Sequence, residues 1–192
     1  MRHFILVLAF STVSLVVTSQ VSVKNNPFLA KEFSKEAALY NAKMFVMQQV
    51  LGVSTDVVKF EIDPLAAASS GELTSLAYRC ESKSKEGLVL GFYGDRWNDA
   101  GVLYQQYAFL NLPLEKARAI LNKIEAVIDE NYKFITSEDD ANNIYYQIDD
   151  ITFLICHKGD GTKIRVLWDG FDSEWEYLAF NRTKKRFEKQ MK

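Results

Sequence analysis

Apolar residues in this chain recur at every second position in a series of short runs, and at every third or fourth position in longer ones. That switch of period constrains the fold more than any other feature. Period two belongs to strands with one buried face, and period 3.6 to helices with one buried stripe. Val58, Phe60 and Ile62 alternate with Val57, Lys59 and Glu61 until Asp63-Pro64, which predicts a strand ended by the proline. Residues 66–71 are small and polar and read as a loop. Alternating runs at 73–80, at Leu88, Leu90 and Phe92, and at 102–109 add three strands. Turn residues separate these runs, as in an antiparallel meander.

Two helices frame that meander. Leu29, Phe33, Ala37, Tyr40, Met44, Met47 and Leu51 are spaced by three or four, so one stripe is expected to face the core. Asn26 and Pro27 suit the start of this helix, and Gly52 its end. Pro113 opens the second, where Leu114, Ala117, Leu121, Ile124 and Ile128 form the stripe and the pattern fades at Asn131. Strand signals resume at 144–147. The run from Ile151 to Cys156 is apolar except for Thr152, which predicts a strand covered on both faces. Asp149-Asp150 reads as the turn before it. Gly159-Asp160-Gly161 turns the chain into Ile164, Val166 and Trp168, giving a hairpin. Ser173 with Glu174 and Glu176 suits the start of a last helix, while Trp175, Tyr177 and Ala179 suit a short strand; both remain open.

The expected fold is therefore α+β: an antiparallel sheet of about six to seven strands with two to three helices packed on one face. The order is helix, four strands, helix, three strands, helix. Only three prolines occur and no stretch rich in Gly, Ser or Pro divides the chain, so residues 20–192 are expected to form a single domain. A content of 48% hydrophobic and 25% charged residues excludes a disordered chain and a polytopic membrane protein. With a net charge of -2, the chain lacks the basic surface a general nucleic-acid binder needs.

The N-terminus carries an address. Arg2 and His3 precede an apolar run from Phe4 to Val17 that ends in Thr18 and Ser19. This pattern reads as a signal peptide over residues 1–19, cleaved before Gln20. Fourteen helical residues span about 21 Å, too short for a hydrocarbon core of roughly 30 Å. The mature protein is thus expected to be exported, periplasmic or extracellular, without stable membrane insertion. Export makes a Cys80–Cys156 disulfide plausible, worth roughly 4–5 kcal/mol in the chain-entropy model; two separately buried thiols are the alternative.

The chemical inventory argues against several reaction classes. Once His3 has left with the signal, His157 is the single histidine, and its neighbour Cys156 points to the opposite face of a strand. A histidine-based triad or zinc site has no material, so neither catalytic residues, nor a metal, nor a cofactor is expected. The adjacent pairs Asp139-Asp140 and Asp149-Asp150 read as solvated turns. Charge is uneven: eight acidic residues stand against Lys133 within 125–150, and six basic residues against Glu188 within 182–192. Asn181–Thr183 forms a glycosylation sequon. One loop stands out, Gly94 to Asp99, where Asp95, Arg96, Trp97, Asn98 and Asp99 combine an indole, a guanidinium, an amide and two carboxylates. Such groups suit a protein partner or a small polar ligand. The same composition fits a loop that folds its Trp back on the sheet and pairs Arg96 with Asp95 or Asp99, which is the reading the residues favour. The chain is expected to be a non-enzymatic binding or accessory module, with an envelope assembly component or a carboxylate hydrolase as alternatives.

Overall fold

A computed structural model describes residues 39–98 and 100–192. The signal segment and the expected helix start at Asn26 and Pro27 lie outside the described residues. Helix α1 is described from residue 39 and ends in a π-helical turn, Val46–Leu51. Four strands follow: β1 (Glu61–Ala67), β2 (Leu73–Cys80), β3 (Lys85–Trp97) and β4 (Leu103–Pro113). Helix α2 (Leu114–Ile135) leads into β5 (Asn143–Ile148), β6 (Ile151–Lys158), β7 (Gly161–Trp168) and β8 (Phe171–Glu176). Helix α3 (Tyr177–Gln190) closes the order.

All strand pairings are antiparallel, and the strand order is β1-β2-β3-β8-β7-β6-β5, with β4 also paired to β3. The fold is α+β, a helix-packed antiparallel sheet of eight strands. Gly87 to Phe92 pair with β2 and β4 at once, so those strands flank β3 on opposite edges. Arg96 pairs with both Tyr104 of β4 and Phe171 of β8. Strand β8 therefore continues the edge that β2 leaves, and one bridge joins two four-stranded meanders.

The eighth strand explains the two open readings at 173–179. Ser173 and Trp175 point inward on β8, and the helix starts directly afterwards at Tyr177. The signal for β8 is Asp169-Gly170, a two-residue turn between the paired Trp168 and Phe171. Both residues have positive φ, 48° and 78°. Asp-Gly is among the preferred pairs for such a hairpin. Asp149-Asp150 and Gly159-Asp160 turn the chain where the sequence places them.

Pro64 does not end β1. The strand runs from Glu61 to Ala67 through it, because β1 lies at an edge where a missing N–H is tolerated, and a bulge follows between Pro64 and Ala66. Residues 66 and 67 therefore belong to a strand and not to a loop. Strand β6 is likewise buried on one face only: Ile151, Phe153 and Ile155 are inside, whereas Thr152, Leu154 and Cys156 are partly exposed.

Helices α2 and α3 pack on the inner face of both meanders, around Leu88, Leu90, Phe92, Phe153 and Trp175. The basic segment 182–192 is built into this core, for Phe187 and Met191 are buried. Thr183, in the sequon, is also buried, its hydroxyl 2.6 Å from that of Ser75. Arg79 and Arg118 donate to the carbonyls of Gln190 and Met191 at the helix end. Arg186 donates to the Leu65 carbonyl, which ties α3 to β1.

Helix α1 covers the opposite, outer face of the first meander, over Leu76, Tyr78, Cys80 and Val89. Its buried stripe is not the expected one. Ala42, Val46 and Val50 face the sheet, while Tyr40 is 64% and Met47 43% exposed. Three contacts fix this rotation: the Phe45 ring lies 5.5 Å from that of Phe109, and Lys83 and Lys85 donate to the carbonyls of Leu51 and Val50. Leu51 alone of the described end of the expected stripe is fully buried, because the π turn adds a residue before it.

Candidate functional site

The segment singled out in the sequence is mostly strand. Residues 94–97 complete β3, and the turn to β4 spans only 98–102. Asp99 lies outside the described residues. Asn98 builds the turn: its Oδ1 accepts from the N–H groups of Ala100 (3.0 Å) and Val102 (2.8 Å), and its own N–H donates to the Val102 carbonyl (3.1 Å). Such Asx bonding is a common way to order a turn.

Arg96 is engaged within the chain, with a partner that sequence proximity did not suggest. Its Nη2 pairs with Asp169 Oδ1 at 2.6 Å, its Nε donates to the Asp169 carbonyl at 2.6 Å, and its Nη1 to Gln106 Oε1 at 3.0 Å. The guanidinium also sits 5.7 Å from the Phe171 ring centre. It thus clamps the β7–β8 turn to β3 at the one bridge between the meanders. Gly170 makes room for it, since a Cβ there would meet Arg96 Cγ at 3.2 Å.

Besides the turn-building Asn98, two side chains of the segment are exposed. Asp95 lies opposite Gln105, and Trp97, 61% exposed, lies opposite Leu103, 44% exposed. Residues 93, 95 and 97 share a face with 103, 105 and 107 by strand alternation. The hairpin tip thus presents an indole next to an aliphatic side chain, and exposed Val102 lies at the turn opposite Asn98. Leu103, Val102 and Tyr107 were not singled out in the sequence; the signal was there in the register, since each falls opposite or beside the 94–97 segment.

Cys80 and Cys156 are not bridged. Cys80 is buried under α1 at the end of β2, opposite Lys85. That lies eleven residues along β3 from the bridge at Arg96, roughly 36 Å of strand. Cys156 lies beyond the bridge, on β6, half-buried on the outer face. A disulfide needs Cα atoms within about 7 Å. Burial pushes the Cys156 thiol up, with the Asp140 and Glu174 carboxylates adding to the rise, so it resists ionisation.

Several other titratable groups are paired within the fold. His157 Nε2 is 3.9 Å from Asp139 Oδ1, and the His157 carbonyl accepts from the Asp140 N–H. Asp149 pairs with Lys116 at 2.6 Å, and Asp150 accepts from the Trp168 indole at 2.9 Å. Lys184 of the basic helix pairs with Glu125 of the acidic stretch at 3.0 Å. Among the described residues, no group of three or more His, Cys, Asp or Glu is placed to hold a metal ion. No helix among them is long and apolar enough to cross a membrane. Comparison with protein-family models, with curated proteins and with solved structures finds no match for this chain.

Proposed function

We propose that the protein is an exported, non-enzymatic binding module that docks another polypeptide through the β3–β4 hairpin. The observation that carries this reading is the tip itself, where Trp97 stands 61% exposed opposite the exposed Leu103 on a strand pair ordered by Asn98. Large aromatic side chains held on a rigid element are the usual anchors of protein interfaces, and burying one recovers apolar area at little entropic cost. Arg96 holds the hairpin to the second meander and Asp95 supplies a polar rim.

The test is capture of partners by the mature protein from its own extracellular or periplasmic fraction. Trp97→Ala is expected to weaken capture by at least tenfold, about 1.4 kcal/mol, with the melting temperature nearly unchanged. Unchanged capture, or a large fall in melting temperature, would refute the anchor role. Export itself is expected to show as an N-terminus at or near Gln20; an intact Met1 in the membrane fraction speaks against it.

A further inference from the structure

Helix α3 sorts its basic residues onto different faces. Phe180, Thr183 and Phe187 form the stripe that enters the core. Lys184, on the side turned to α2, pairs with Glu125 at 3.0 Å and with Glu188 at 2.6 Å. Arg186, on the side turned to β1, donates to the Leu65 carbonyl. Arg182, Lys185 and Lys189 are left, three and four residues apart on the face opposite the core, and all three are exposed. Among the described residues, no carboxylate comes within ion-pair distance of any of them. Leu178, 62% exposed, continues the line one turn earlier.

These three cations form a straight row, one per helical turn and about 5 Å apart along the axis. Carboxylates border the row on both sides. Glu125 and Glu188 lie toward α2. Glu61 and Asp63 lie toward β1, exposed on the inner face that they share with their register partners Arg79 and Ala77. Arg79 donates to the Gln190 carbonyl, which sets that face beside the end of α3. A plane of negative charge, such as a lipid surface, would meet these carboxylates together with the cations, and like charges brought together are costly. A single extended polyanion lies along the row between them. A single-stranded nucleic acid also needs exposed rings on which its bases stack, and Phe180 and Phe187 of α3 are buried.

We propose that α3 binds a linear anionic polysaccharide along Arg182, Lys185 and Lys189. The spacing of the row is close to the length of one sugar in an extended chain, so an acidic group on each successive sugar meets one cation. Lysine suits this task, because its ammonium is a mobile point charge that follows sulfates or carboxylates of varying position. Asn181, half-buried one turn before Lys185, adds an amide that can both donate to and accept from sugar hydroxyls. The row is separate from the hairpin. Leu88, Leu90 and Phe92 of β3 face the helices α2 and α3, so alternation turns Trp97 to the outer face of the sheet. A glycan held on α3 therefore leaves the Trp97 tip uncovered.

Heparin, a linear sulfated polysaccharide, is the probe. Fluorescence titration of the purified chain with heparin oligosaccharides at about 0.01 M salt is expected to show saturable binding that weakens as salt rises. The triple variant Arg182→Gln, Lys185→Gln and Lys189→Gln is expected to weaken it about tenfold or more, with the melting temperature unchanged. The triple variant Lys59→Gln, Lys133→Gln and Lys158→Gln removes the same charge from exposed sites elsewhere and is expected to leave binding nearly as it was. Where the first variant loses its fold, Lys185→Glu makes the same test at the centre of the row. Trp97→Ala is expected to bind heparin like the unaltered chain, so failure of the glycan site and failure of the hairpin reading are told apart. No binding at low salt overturns the proposal. Equal losses from the two triple variants overturn it too, because binding then follows net charge and not the row. Tighter binding, per anionic group, to phosphatidylglycerol vesicles or to oligothymidylate overturns the choice of a polysaccharide.

Discussion

The two meanders share a topology, four antiparallel strands preceded by a helix, yet their outer faces differ completely. On the first, Leu76, Tyr78, Cys80 and Val89 point outward and are sealed by α1. On the second, the equivalent positions hold a charge ladder: Lys163 bridges Asp160 at 3.0 Å and Glu174 at 3.1 Å, and Arg165 Nε donates to Asp172 at 2.8 Å. The preceding helices follow this difference. Helix α1 goes to the outer face of its meander, whereas α2 goes to the inner face, where α3 joins it. The residues at alternate strand positions thus decide where a helix lands; the strand order does not.

Matched substitutions on the two outer faces give the largest expected contrast. Leu76→Ala, beneath α1, is expected to cost about 2–5 kcal/mol, because it empties a closed site. Leu167→Ala, at 37% exposed on the second outer face, is expected to cost no more than about 0.5 kcal/mol. Chemical denaturation measures both. Equal losses would mean that the second outer face is also closed, and the contrast would collapse.

A smaller effect is expected at the joint. Arg96→Ala removes charge-assisted bonds to Asp169 and the Gln106 contact, for about 1–2 kcal/mol after allowance for their partial exposure. Arg96→Lys is not expected to restore it, since one ammonium cannot make the same fork. Amide exchange should show β8 opening ahead of β2 in Arg96→Ala; uniform exchange would mean that the bridge contributes nothing local.

Acid should separate the meanders most gently. The hydrogen bond from Lys163 holds the Asp160 carboxyl below the usual carboxylate range. A group depressed in the folded state stabilises above its unfolded value, near 3.9, and loses that contribution as pH falls through the lower folded one. The same bond raises Lys163, whose contribution is present below the lysine range and lost above it. Between about pH 4 and pH 2, exchange at Ile164 and Trp175, corrected for intrinsic rates, should rise relative to Leu76 and Val89. Parallel behaviour would show the ladder to be inert.

What the sequence made legible follows the range of the interactions concerned. Strand β2, the α2 stripe and the turns at Asp149-Asp150 and Gly159-Asp160 depend on near neighbours, and each lies where periodicity and turn chemistry put it. The face of α1 was not legible, because that helix carries two apolar stripes and the choice is made by Phe109, Lys83 and Lys85, remote in sequence. Pro64 misled because edge position is a property of the sheet. At the candidate site, the character of Trp97 was visible, but Arg96 was assigned neighbours when its partner is Asp169. The cysteines failed for the same reason: two strands with thiols say nothing about how far apart the sheet sets them.

The placement of α3 has a consequence in time. Its Phe180 and Phe187 fill the core, and its arginine contacts reach back to Leu65. Synthesis runs from the N-terminus at about 5–20 residues per second, so β1 waits on the order of ten seconds for the helix that covers it. Once β8 is made, every strand exists while the inner face still lacks its last cover. In that window the nascent chain offers a chaperone an unfinished core and not a closed one.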